Sequence, residues 1–216
     1  MPLAAVLFDN DGLTLDTEPA WTRAEVALFE RYGSQFTPEN KRELLGTAPV
    51  DAAAKLERML GRPGDEMNAE LYELVLEEVA VGIEPMPGAV ALLAALRAAG
   101  VPVGLVSNSR RGFVERGLRA AGLDGAFAVI VTAEEVARPK PAPDAYVAAA
   151  VALGAAPSAC AVLEDSPTGL AAGRAAGALT IGVPSFPGVT LEADVVASSL
   201  EDPAVWLALG LRAAAA

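Results

Sequence analysis

Four short segments hold most of the residues that could do chemistry. Phe8-Asp9-Asn10-Asp11-Gly12 carries two carboxylates, two residues apart. Val106-Ser107-Asn108-Ser109 offers the hydroxyl of Ser107 and the carboxamide of Asn108. Arg138-Pro139-Lys140-Pro141 brings an amine, and Leu163-Glu164-Asp165-Ser166 adds paired carboxylates. The chain contains no histidine. That removes imidazole acid–base catalysis, Ser-His-Asp and Cys-His pairs, and histidine metal sites. Any chemistry must run on carboxylates, hydroxyls, amines or a hard, oxygen-bound metal ion. The single cysteine, Cys160, has no internal disulfide partner. Its apolar flanks, Ala159 and Ala161-Val162-Leu163, read as a buried strand, where a thiol is structural rather than reactive.

Those segments need elements to present them. Ala4–Phe8 is a continuous apolar run ending at Asp9. Such runs suit strands buried on both faces of a parallel sheet. Similar runs occur at Val103–Val106, Phe127–Val131, Cys160–Leu163, Leu179–Val183 and Val195–Val196. Helical segments lie between them: Gly88–Ala99, Gly112–Ala121, Asp144–Leu153 and Thr168–Ala176, each followed by a glycine that can stop a helix. The alternation predicts an α/β fold with a doubly wound parallel sheet. Ligands of such sheets bind beyond the carboxyl ends of the strands. All four chemical segments fall there.

The alternation breaks between Pro19 and about Gly82. Helical pattern continues at Pro19–Tyr32, Pro38–Leu45, Val50–Leu60 and Asn68–Val81, without strands. This predicts an inserted helical cap over residues 16–85, with residues 1–15 and 86–216 forming the α/β core. The alanine-rich end, Ala213–Ala216, reads as a frayed terminus.

Together the four segments resemble the haloacid dehalogenase superfamily. FDNDGLTLDTE is similar to its first motif, VSNS to its second, the lysine of RPKPAPD to its third and LEDSPTG to its fourth. A lone DxD is a weak signal; four motifs in order around an inserted helical segment are a strong one. The insertion resembles the small-cap group, which includes β-phosphoglucomutase and many sugar-phosphate phosphatases. The resemblance implies a Rossmann-like core, Asp9 as nucleophile forming an aspartyl phosphate, and Asp11 as general acid and then base. It implies Ser107, Asn108 and Lys140 as phosphate-binding residues. It also implies Mg²⁺ held by Asp9, the main-chain carbonyl of Asp11, and Asp165. Glu164 would be a ligand or the partner of one. A hard cation would relieve the repulsion among these carboxylates.

Each residue also has a plainer reading. Asp9, Ser107 and Asp165-Ser166 could be turn or capping residues. Lys140 alone could be a solvated surface residue. Arg110 and Arg111 read as solvent-facing, and Trp21 and Trp206 as core anchors. Thr17 and Glu18 could cap the first cap helix or contact substrate.

The branch is narrowed by what is missing. Dehalogenases of this superfamily lack the second aspartate, which Asp11 supplies. In the segment LLGTAPVDAAAKL, Pro49 stands where a phosphonatase lysine or a mutase arginine would fall, with Lys55 a few residues on. Trp21 stands where the mutase histidine would fall. The expected activity is therefore hydrolysis of a small phosphate monoester. The alternatives are a sugar-phosphate mutase and a non-catalytic phospho-ligand binding protein.

The chain has 216 residues, 53% of them hydrophobic, and a net charge of -12. That balance predicts a large buried core, and it disfavours nucleic-acid or anionic-membrane partners. No stretch reads as a membrane span, and none as a signal peptide. A cytoplasmic monomer acting on a small phosphorylated metabolite is the expectation.

Overall fold

The computed structural model describes residues 3–44, 49–186 and 188–211. The alanine-rich end, and Leu45–Ala48 of the segment used above to narrow the branch, lie outside them.

Six parallel strands form one sheet in the order β3-β2-β1-β4-β5-β6. They are β1 (Ala5–Asp9), β2 (Val103–Ser107), β3 (Val129–Thr132), β4 (Cys160–Glu164), β5 (Leu179–Gly182) and β6 (Val195–Val196). All five residues of β1, β2 and β4 are buried. This is why those strands read as unbroken apolar runs rather than alternating ones. Helices α5 (Ala89–Ala98), α6 (Arg111–Ala120), α7 (Asp144–Ala152) and α8 (Pro167–Ala175) connect them. The predicted doubly wound α/β fold is the observed one.

Chain order along the sheet reverses at β1. The chain runs outward through β2 and β3, then returns to the other side of β1 with β4. Such a reversal point opens a crevice at the strand ends. Below it, Leu7, Val106, Val131, Val162, Tyr146 and Cys160 pack into one buried cluster. Cys160 is free and buried there, and burial pushes its thiol up from the ordinary range. That is the setting of a structural thiol.

The described residues divide into two compact units, Met1–Asp16 with Glu84–Ala216, and Thr17–Ile83. The second is helical: α1 (Glu18–Arg31), α2 (Pro38–Leu44), α3 (Pro49–Leu60) and α4 (Gly64–Val81). Helix α4 begins four residues before the expected Asn68. Its first residue is a glycine preceded by Pro63, a pair that reads as a breaker in sequence. Within this unit the Lys41 ammonium pairs with Glu18 and with the buried Glu25. Thr17 takes the N-cap position of α1 but makes no side-chain capping bond. Lys55 donates to the main-chain carbonyl of Glu43 at 2.5 Å.

In the first unit, the chain leaves and re-enters through one seam. The Asp16 N–H donates to the Glu84 carbonyl at 2.9 Å, and the Met86 N–H to the Thr14 carbonyl at 2.9 Å. Leu15 and Pro85 form an antiparallel bridge between these bonds.

A short final helix, α9 (Pro203–Ala208), was not expected from the pattern. Trp206 on it is buried and donates its indole N–H to the Leu200 carbonyl at 3.0 Å. Trp21 is half-buried. Arg111 departs from its solvent-facing expectation: its guanidinium donates to the Ile130 carbonyl at 2.7 Å and pairs with Glu115 and Glu135.

Candidate active site

Strand β1 ends in the buried Asp9. The turn beyond it needs Gly12 at φ +80°, and a Cβ there would overlap the Asp165 carboxylate and Ser185. The chain thus folds back where Asp9 and Asp11 emerge. Strand β4 ends in Glu164, fully buried, followed by Asp165. Asp9, Glu164 and Asp165 each offer an oxygen within 4.8 Å of the others'.

Lys140 enters from the segment ahead of α7 and is buried. Its three ammonium protons are all placed. They reach Asp9 Oδ1 at 2.6 Å, Glu164 Oε1 at 2.6 Å and the Val106 carbonyl at 2.8 Å. The Tyr146 ring lies beneath, with Nζ 4.9 Å from its centroid. Lys140 is therefore no solvated surface residue. Asn108 holds the lysine's backbone: its Nδ2 donates to the Lys140 carbonyl at 3.1 Å, and its Oδ1 accepts from the Lys140 N–H at 3.0 Å.

Glu164 has both oxygens engaged. Oε1 accepts from Lys140 and from the Tyr146 hydroxyl at 2.6 Å. Oε2 accepts from the Ser166 hydroxyl at 3.0 Å. The same Ser166 hydroxyl caps α8 by accepting the Gly169 N–H at 3.0 Å. The capping reading of Ser166 was right, and it coexists with a place in the cluster. Helix α8 can sit this close only because residue 169 is glycine; a Cβ there would overlap the Glu164 carboxylate.

The other carboxylates are held on one side only. Ser185 donates to Asp165 Oδ2 at 2.6 Å. Ser107 and Ser109 donate to Asp11 Oδ2 at 3.1 and 2.8 Å. Asp11 Oδ1 and the side-chain amide of Asn10 are buried without a hydrogen-bond partner among the described residues.

The electrostatics follow from this crowding. One ammonium stands among three carboxylates. Burial raises the Asp9 carboxyl well above its ordinary range; Glu164, Asp165 and Asp11 push it further, against Lys140. Burial and Glu164 raise Asp165 to about 7, while the Ser185 hydrogen bond pulls it down. Burial alone would lower Lys140, but Asp9 and Glu164 reverse that and raise it. An all-oxygen donor set with unbalanced negative charge fits a hard divalent cation.

Every residue singled out at the strand ends is thus gathered at one edge of the sheet: Asp9, Asp11, Ser107, Asn108, Lys140, Glu164 and Asp165. Sequence reasoning missed Ser109, Tyr146, Gly169 and Ser185. Ser109 sits inside the VSNS segment and could have been noticed there. Tyr146 and Ser185 are tied to the cluster only by tertiary packing.

Carboxylates, a lysine and hydroxyls thus converge at the switch point of a parallel sheet, an oxygen-rich site of the kind that suits a hard cation. The particular family is also clear. Residues 3–177 match the haloacid dehalogenase-like hydrolase family. The chain is 37% identical over 205 residues to the bifunctional riboflavin kinase/FMN phosphatase of Arabidopsis thaliana; the match covers 92% of this chain and 54% of that protein. It therefore spans about half of that relative's length. It is 36% identical over 209 residues to hexitol phosphatase A of Escherichia coli K12, covering 90% of each. A HAD family hydrolase from Deinococcus radiodurans R1, crystallised with bound phosphate and sodium, superimposes with a TM-score of 0.78 at 32% identity, covering 99% of each chain. This chain belongs to the haloacid dehalogenase-like hydrolases.

Proposed function

We propose that this protein is a Mg²⁺-dependent phosphatase of small phosphate monoesters, a sugar phosphate or a phosphorylated small acid, working through an aspartyl phosphate on Asp9. The observation that carries the reading is the arrangement at the strand ends, where Lys140 pairs with Asp9 and Glu164 beside Asp165 and, among the described residues, no second cation pairs with any of the three. Named phosphatases among its relatives support it. We read the helical unit Thr17–Ile83, which falls inside the insertion expected over residues 16–85, as the cap domain.

Asp9 and Asp165, with the main-chain carbonyl of Asp11, would hold the Mg²⁺, which supplies charge to the phosphoryl oxygens. Glu164 is assigned to hold Lys140, because both its oxygens already accept from the protein. Asp9 attacks phosphorus, and the bond to the ester oxygen breaks. Asp11 gives its proton to that oxygen. Water then attacks the aspartyl phosphate, its proton passes to Asp11, and inorganic phosphate leaves. Ser107 binds the transferred group, as does Lys140 once one of its three ammonium protons leaves its present partner; Asn108 contributes by fixing the Lys140 backbone. Buried, structural Cys160 suits a reducing, cytoplasmic setting.

The test is phosphate release across a panel of sugar and acid phosphates, with Mg²⁺ and with a chelator. Metal-dependent release is expected, and Asp9→Asn should remove it at unchanged circular dichroism. Near-normal turnover in that variant would end the mechanism.

A further inference from the structure

The two oxygens of Asp11 are not equivalent. Oδ2 accepts two hydroxyl protons, from Ser109 at 2.8 Å and from Ser107 at 3.1 Å. Oδ1 is buried and has no hydrogen-bond partner among the described residues. Two donors thus fix Oδ2 and leave Oδ1 as the oxygen open to a reacting atom. The Ser107 oxygen is itself fixed, since it accepts the Ser109 N–H at 2.9 Å.

The two serines cannot do the same work during turnover. A hydroxyl has one proton to donate. On the reading above, Ser107 turns that proton to the transferred phosphoryl group and releases Asp11. Ser109 then remains as the hydroxyl holding Oδ2. We infer that Ser109 is a positioning residue for the acid–base step, keeping Asp11 oriented so that Oδ1 delivers the proton to the leaving oxygen and later takes one from water. This rests on the phosphatase assignment and deepens it.

The experiment compares kcat/KM for 4-nitrophenyl, 4-chlorophenyl and phenyl phosphate, leaving groups that need progressively more help from an acid. The proteins are the wild type, Ser109→Ala, Ser109→Thr and Asp11→Asn, each loaded with Mg²⁺. Ser109→Ala should lose about tenfold on phenyl phosphate, a part of the effect of a general acid, and less than about twofold on 4-nitrophenyl phosphate. Ser109→Thr keeps the hydroxyl and should restore the wild-type slope. An equal fall on all three esters would show a merely structural serine and overturn the inference. So would a loss confined to KM, which would make Ser109 a substrate contact. Failure of the underlying reading looks different: a wild type that releases no phosphate, or an Asp11→Asn variant whose loss does not depend on the leaving group.

Discussion

Lys140 links the residue-level chemistry to stability. Its ammonium satisfies two buried carboxylates and a strand carbonyl at once. Removing one partner of a buried ion pair leaves charge with nothing to offset it. Lys140→Ala, measured in chelator by urea unfolding at pH 8, should lose about 3–5 kcal/mol. A loss below about 1 kcal/mol would mean that the carboxylates find other partners. The identities at this scale were legible in the sequence. Asp9 and the Glu164-Asp165 pair stand at apolar run ends, with Asp11 two residues on, and strand burial carries them to one edge; Lys140 stands out in sequence only through its RPKPAPD segment between β3 and α7. Their hydrogen-bond partners were not legible. Tyr146 reaches Glu164 from across 18 residues and Ser185 reaches Asp165 from across 20, and no local spacing encodes such contacts.

At the scale of elements, α8 is set by its first turn. Ser166 caps the helix and touches Glu164, while Gly169 lets the backbone lie against that carboxylate. Gly169→Ala puts a methyl where the carboxylate stands, so either α8 lifts or Glu164 turns away from Lys140. Overpacking of this kind costs about 1–3 kcal/mol. Turnover should fall at least about tenfold, because misplaced groups lose the aligned geometry that transfer needs. Wild-type kcat at a lowered melting temperature would separate packing from function. Strands were the easiest elements to read, since burial on both faces leaves an uninterrupted apolar signature. Helix α9 was missed because six residues give less than two turns of periodicity. Yet Asp202 as N-cap, bonding the Ala204 N–H at 2.9 Å, followed by Pro203, was a readable start signal.

For the whole molecule, the raised carboxyls make stability depend on pH and metal together. Burial and Glu164 push Asp165 up to about 7, and burial raises Asp9 well above its ordinary range, against roughly 3.9 when unfolded. The folded state therefore binds more protons between those values, and its stability falls as pH rises through that window. In chelator, the melting temperature should drop from pH 5 to pH 8. Mg²⁺ should raise it more at pH 8 than at pH 6, where protons compete for the same oxygens. A flat profile in chelator would refute the raised carboxyls.

The seam at Thr14–Asp16 and Glu84–Met86 has a consequence for how such a protein diversifies. Its two strands of chain are joined to each other before the helical unit begins and after it ends. To the sheet, everything from Thr17 to Ile83 is a single excursion between adjacent anchor points. The entropy of closing an excursion grows only slowly with its length. Such a segment can be lengthened, shortened or exchanged for another without re-registering a strand or moving Asp9 relative to Lys140. Selection on the excursion and selection on the reaction centre can therefore proceed as nearly independent histories within one gene.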